Sequence, residues 1–391
     1  MKIKLIQLDT ILLCLTFYEI TVLPHEVYLG FKYIVVAYIF IRHFMTIKKI
    51  PYLIIPVALY GGVNVLSTVI NHASQNMMIA SFVFAVQIID IFILTESFLS
   101  QNPIEKYIGT IFGVFVTLIV LTDSLMLVKH YNFHDPAENY LIGNKFVVSY
   151  VHCFASGLAF MLSYKTEKVI SLNNGVIRFN GMSMRLFAFL FSAFSILICR
   201  RVTCSTGMLA GLLLFVLMLM PAIVQRVISN GKIMLIVSGV INFLLLGSYG
   251  IMDNSFIHNF VYGYLEKSTT WNGRLIIWGD IFRLISKKLI FGYGFYTDIV
   301  AKELGFGNPQ NAVLKFLIDV GVVGLVLYAV IVWMSFKPKS AISLHRIYPM
   351  VAFFYAMIFA ALVEINLTHM IVFMSMAIAY SAAKYSERSL A

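Results

Sequence analysis

Residues Asn311–Phe336 read NAVLKFLIDVGVVGLVLYAVIVWMSF. As a helix rising about 1.5 Å per residue, this run crosses the roughly 30 Å of bilayer hydrocarbon. Its only charges, Lys315 and Asp319, stand four residues apart, where a helix pairs them on one face. Comparable apolar runs occupy 5–23, 27–45, 51–71, 77–99, 106–128, 145–165, 184–203, 206–226, 231–250, 346–363 and 366–384. The expected fold is therefore an all-α polytopic membrane protein with about twelve transmembrane helices. Composition agrees, since 60% of the 391 residues are hydrophobic and 12% charged, with a mean hydropathy of +0.88. No soluble domain class has these proportions.

The chain is read as one integral membrane domain over 1–391. Lys2 and Lys4 precede the first run as in a signal peptide, but no small-residue cleavage site follows, so that helix is expected to be retained. Lysine and arginine alternate in loop usage: Arg42, Lys48, Lys49, Lys106, Lys165, Lys168, Arg226, Lys232, Lys337 and Lys339 fall on one side. The positive-inside rule makes that side cytoplasmic, with both termini there. The net charge of +11 is then a topology signal, and nucleic acid is excluded as a partner. Cys14, Cys153, Cys199 and Cys204 form no CxxC, and the nine histidines show no ligand spacing, so neither disulfides, metal nor another cofactor is expected.

One connection breaks the pattern of tight hairpins. Residues 251–310 form a large extracytoplasmic loop, too long to be structureless without a purpose. Within it, Gly273–Ile290 is amphipathic: at about 100° per residue, Arg274, Ile277, Trp278, Ile281 and Ile285 fall within roughly 60° of one direction. Asp280, Arg283 and Lys287 point the other way. The expectation is an interfacial helix anchored by Trp278. An arginine on its apolar face requires an anionic partner, either a ligand or a carboxylate such as Asp253 or Glu266. In the spans, Asp90 is expected to hydrogen-bond across helices, and Asp123 and Glu364 to be hydrated near the outer ends.

Three segments then occur in order. Gly143-Asn144-Lys145 opens a helix; Arg200-Arg201-Val202-Thr203-Cys204-Ser205-Thr206-Gly207 joins two more; and Asn272-Gly273-Arg274 with Trp278 leads to Gly292-Tyr293-Gly294, Gln310-Asn311 and Gly321-Val322-Val323-Gly324. This resembles the O-antigen ligase and Wzy polymerase superfamily, nearest to capsule polymerases of Gram-positive bacteria. Gln310 stands where the family has histidine, and Ser205-Thr206 where it has Ser-Arg. An amide accepts no proton near neutral pH, so Gln310 is not a general base.

The resemblance implies a polysaccharide polymerase. It would join polyprenyl-diphosphate-linked oligosaccharide repeat units, on the outer membrane face, into capsular or other surface polysaccharide. A chain-length regulator and a flippase of the same pathway are the implied protein partners. Arg274, Arg201, Gln310 and Asn311 become the implied catalytic residues, and Lys145, Arg200, Trp278 and Asn144 the substrate-binding ones. A diphosphate leaving group gathers negative charge, which fixed cations or a divalent metal must meet. The external loops carry no Asp-x-Asp, so arginine is expected in place of metal. Snorkelling to the interface is the bland alternative for Lys145, Arg200 and Arg201. A glycan ligase of the same superfamily, or a flippase or other transporter, are the competing functions. The asymmetric outer loop favours chemistry on one face over transport.

Overall fold

The computed structural model describes residues 4–46, 50–129, 140–164, 168–172, 175–179, 182–247 and 270–385. Ten helices precede the long loop: α1 Leu5–Leu15, α2 His25–Thr46, α3 Ile54–Ile70, α4 Gln75–Gln101, α5 Ile104–Lys129, α6 Lys145–Ser163, α7 Met182–Arg201, α8 Ser205–Met218, α9 Ala222–Ile228 and α10 Gly231–Gly247. Five follow it: α11 Thr270–Lys287, α12 Ile299–Leu304, α13 Ala312–Ser335, α14 Ala341–Ala361 and α15 Met370–Tyr385. A short antiparallel hairpin, β1 Lys168–Leu172 with β2 Gly175–Phe179, joins α6 to α7. Otherwise the described secondary structure is helical, as the apolar runs predict.

Every one of the twelve runs holds a helix, but they differ in reach. Seven helices are long and apolar enough to cross a membrane, and α9 with α10, bent by 77°, supplies an eighth as a broken pair. The apolar helices α1, α3, α8 and α15 are shorter, so the count of twelve spans remains an expectation. The run 206–226 is not one helix. It stops at Met218, and Pro221, with φ −65° and ψ 153°, opens α9 in a new direction. Proline has no N–H to continue the ladder, and Gln225 donates from Nε2 to the freed Met220 carbonyl at 2.8 Å.

Burial sorts the helices into an inner and an outer set. In α6, 83% of the spanning window is buried within the protein, against 22% in α7. The outer helices present Ile34 and Ile41 of α2 and Leu186, Leu190 and Leu197 of α7 outward, as lipid-facing surfaces do. Lys315 and Asp319 form the expected pair at 2.8 Å, both buried. Asp90 departs from expectation: it is fully buried, and neither carboxylate oxygen has a partner among the described residues.

The most constrained part is the middle of α13, where Gly321 has φ 64° and ψ −167°. These angles interrupt the helix and release backbone groups that hydrocarbon cannot solvate. The segment after α11 meets them. Tyr293 N donates to Ile318 O (2.7 Å) and Gly294 N to Asp319 O (2.9 Å), while Leu289 O accepts from Val322 N (2.9 Å) and Ile290 O from Val323 N (3.3 Å). The end of α3 closes the other side. Ser67 Oγ donates to Phe291 O and to Asp319 O, Asn71 Nδ2 donates to Gly292 O (3.0 Å), and Thr68 Oγ1 accepts from Phe295 N (2.9 Å). A Cβ on Gly321 would collide with the Ile290 carbonyl, and one on Gly292, at φ 66°, with Ile318 and Asp319.

In helix α11, Asp280, Arg283 and Lys287 lie on the more exposed side. Its buried face, Trp278, Ile281, Leu284 and Ile285, packs on Val300 of α12 and Leu314 and Ile318 of α13. Trp278 is therefore no interface anchor. It is 2% exposed, and its indole N–H donates to Pro309 O at 3.0 Å.

Gly321→Ala should destabilise the protein by about 1–3 kcal/mol from backbone strain alone, before the added collision. Gly62→Ala on α3, whose Cβ would meet nothing within 4 Å, should leave stability unchanged. Thermal unfolding of the purified protein in detergent compares the two. Equal melting of Gly321→Ala and wild type would refute the role given to the break.

Candidate functional site

At the end of the bundle opposite the amino terminus, where α1 finishes and α2, α6 and α15 begin, a cavity of about 420 Å³ opens. Its wall comes from six places: Tyr18 and Glu19 after α1, Lys32 and Tyr33 of α2, Phe84 of α4, Gly143 and Asn144 before α6, Phe295 and Tyr296 after α11, and Thr368 and His369 before α15. Lipid-facing helices have no use for such a polar lining. Its volume lies within the usual range of small-molecule sites.

Local structure fixes each wall. Asn144 caps α6, its Oδ1 accepting from Phe146 N (3.0 Å) and Val147 N (3.2 Å), as asparagine does at a helix start. Gly143, at φ 112°, makes the turn before it, and Thr21 ties that turn down by donating from Oγ1 to Tyr140 O at 2.9 Å. Phe295 packs on Phe84 with ring centres 4.8 Å apart, so the α13 break holds Tyr296 in place through its own neighbour. The His369 ring sits between Tyr18 (6.0 Å) and Tyr150 (5.6 Å, edge-on). Its imidazole makes no hydrogen bond among the described residues.

The residues singled out from sequence separate into three groups. Asn144 lies in the cavity wall and Lys145 follows it, half-buried, as the first residue of α6. Arg200 and Arg201 end α7, both exposed. The turn after them is held against the first turn of α6, because Gly207 of α8 abuts Ser149 so closely that no Cβ fits. Cys204 caps α8 by accepting from Gly207 N at 3.4 Å. Lys145 and the two arginines thus share one end of the bundle. Arg274 lies on α11, and its side chain falls outside the described residues, as do Asp253 and Glu266.

The third group serves structure. Asn311 is fully buried and caps α13: Oδ1 accepts from Leu314 N (3.1 Å), while Nδ2 donates to Asn242 Oδ1 and Leu362 O, both at 3.1 Å. Both amide donor contacts and the acceptor of Asn311 are thus made within the protein. Trp278, 2% exposed, packs inside the protein. Gln310 takes φ 50° and donates its backbone N–H to Asn308 Oδ1 at 2.8 Å. Its place is a strained turn in front of α13. Asp123, on α5, is not simply hydrated but lies within hydrogen-bond reach of His152 Nε2 at 3.4 Å.

Sequence reasoning gave no site role to Lys32, Glu19 or His369. They lie in different segments, His369 far from the other two in the chain, and only the packing of α1, α2 and α15 gathers them.

Residues 148–329 match the family model described as O-antigen ligase, covering α6 through most of α13. Arg200, Arg201, Arg274, Trp278, Gln310 and Asn311 fall inside that stretch, and Asn144 and Lys145 just before it. No curated protein and no solved structure matches. The multi-span helical fold and this domain agree with the O-antigen ligase and Wzy superfamily of membrane enzymes of glycosyl-transfer type.

Asn311→Ala would strand a buried backbone N–H, a carbonyl and an amide at once, a loss of about 2–4 kcal/mol. The variant should melt several degrees lower and accumulate poorly in membranes. Wild-type melting with lost activity would return Asn311 to catalysis.

Proposed function

We propose that this chain, with the O-antigen ligase domain at 148–329, polymerises polyprenyl-diphosphate-linked oligosaccharide repeat units into a surface polysaccharide at the outer face of a bacterial cytoplasmic membrane. The observation that carries the reading is the cavity with its polar and aromatic wall, at the same end of the bundle as Lys145, Arg200 and Arg201. By the positive-inside rule that end is extracytoplasmic, the side on which a lipid-linked glycan is extended.

The reaction asks little beyond positioning and charge. An acceptor hydroxyl oxygen attacks the anomeric carbon of the lipid-linked glycan, forming the new glycosidic bond. The bond from that carbon to the diphosphate oxygen breaks, and both its electrons leave with polyprenyl diphosphate. Arginine suits the leaving group, because its planar fork spans two phosphate oxygens and stays charged. Arg201 and Arg274 are assigned that task, with Arg200 and Lys145 adding positive field. The hydroxyl proton goes to His369 in this reading, since its imidazole lines the cavity without a hydrogen bond and the amide of Gln310 accepts none.

A ligase reading stands beside this one, supported by the description of the matched family. It keeps the donor, leaving group and cationic residues and changes only the acceptor. The size distribution of lipid-linked glycan in a deletion strain separates the two. Single repeat units stranded outside the membrane indicate a polymerase; long lipid-linked polymer that never reaches its final carrier indicates a ligase. Single units held on the cytoplasmic side would make the chain a transporter and overturn both.

Arg274→Lys keeps the charge and loses the fork, and should cut polymer formation about 10²-fold or more, by comparison with removal of an oxyanion donor. Full-length polymer in that variant at matched abundance would refute the clamp. With arginine serving the diphosphate, EDTA should leave transfer in purified membranes intact. Activity lost to EDTA and restored by magnesium or manganese would reverse that assignment.

A further inference from the structure

The cavity contains a cation that the fold does not use. Lys32 lies on α2, seven residues past His25, and thus about 10 Å below the start of that helix. Charge at such depth in a membrane protein is costly and is kept where it has a partner. Lys32 is half-buried, lines the cavity, and forms no hydrogen bond or ion pair among the described residues. Glu19, the carboxylate in the wall, acts on Lys32 through space without a hydrogen bond, and is itself bonded at 2.8 Å by His25. Three other lysines in the protein meet a carboxylate, Lys315 with Asp319 (2.8 Å), Lys302 with Asp298 (2.9 Å) and Lys384 with Glu96.

The rest of the wall adds to the positive field. Helices α6 and α15 both begin at the cavity, at Asn144–Lys145 and His369–Met370, and helix starts carry partial positive charge. Tyr33 and Tyr296 line the same cavity as Lys32, and aromatic faces beside a cation are the combination that holds a sugar ring next to an anion. Neither Arg200 nor Arg201 is in the wall.

We propose that the cavity is an anion-recognising glycan subsite in which Lys32 binds phosphate or carboxylate oxygens of the lipid-linked substrate. The inference rests on the transferase reading for the ligand's class and deepens it: the preferred substrate carries negative charge next to sugar, either in its diphosphate or as an acidic sugar. Lys32 orients that group, and no bond is made or broken at its amine.

The test is binding by the full-length protein in nanodiscs, followed by ligand-observed NMR with three probes: inorganic pyrophosphate, glucuronate and neutral glucose. Wild type should bind at least one anion, and Lys32→Met should weaken it about tenfold or more, with Lys32→Arg retaining it and glucose showing no dependence on the residue. Lys32-dependent pyrophosphate binding identifies the diphosphate as the source; Lys32-dependent glucuronate binding identifies an acidic sugar. Wild type binding neither anion, or Lys32→Met binding both as wild type does, overturns the proposal. Lys32→Gln serves the same comparison where the methionine variant is not recovered folded. Normal glycan lengths in the deletion strain would sink the transferase reading while leaving measured anion binding in place.

Discussion

Backbone hydrogen bonding in hydrocarbon is the constraint on which this structure turns. A helix that breaks inside a membrane exposes carbonyls and N–H groups that lipid cannot satisfy, and α13 breaks at Gly321. The segment 289–294 supplies the missing partners on one side and Ser67 of α3 on the other. That arrangement needs glycine at both crossing points, because side chains at Gly292 and Gly321 would each run into the opposite backbone. The break is thus what docks the loop's second half onto the bundle. Through Phe295 and its contact with Phe84, it also sets Tyr296 in the cavity wall.

Much of this was legible in the chain, and the limits have physical reasons. Apolar run length finds helices well, and every run proved to hold one, yet hydrophobicity says little about where a helix stops. The run 206–226 contains Pro221, which divides α8 from α9, and the run 5–23 leaves the helix after Leu15. In α11, Trp278, Ile281 and Ile285 are all buried, but periodicity places only such a stripe. It could not say whether that face met lipid or protein. An apolar stripe fits both, and only the nearness of α13 decides for protein.

The site was less legible, for a related reason. Motif residues are noticed because they recur at fixed spacing, and fixed spacing belongs to local structure. Asn311 and Trp278 drew attention as chemistry but hold the start of α13 in place, one by capping it and the other by bonding to Pro309. Asn144 combines both roles, capping α6 from a position in the cavity wall. Lys32 and His369 carry no such spacing, and their meaning arises only when helices distant in the chain come together.

The distribution of charge along the bundle makes the same separation. At the amino-terminal end, charges are spent on holding helices: Asp9 of α1 meets Arg42 (3.2 Å) and His43 (2.8 Å) of α2, and Glu96 of α4 accepts from Lys384 and from Tyr385 (2.6 Å) on or near the end of α15. Glu105 and Arg346 add a looser contact at 3.8 Å. These are buried or half-buried pairs whose partners are built in, so removing one side leaves the other uncompensated. At the opposite end, Lys32 and His369 face a cavity without a hydrogen-bonded partner among the described residues. The pairs at the first end tie helix to helix, whereas these two side chains are held at a cavity wall by helices that pack for other reasons.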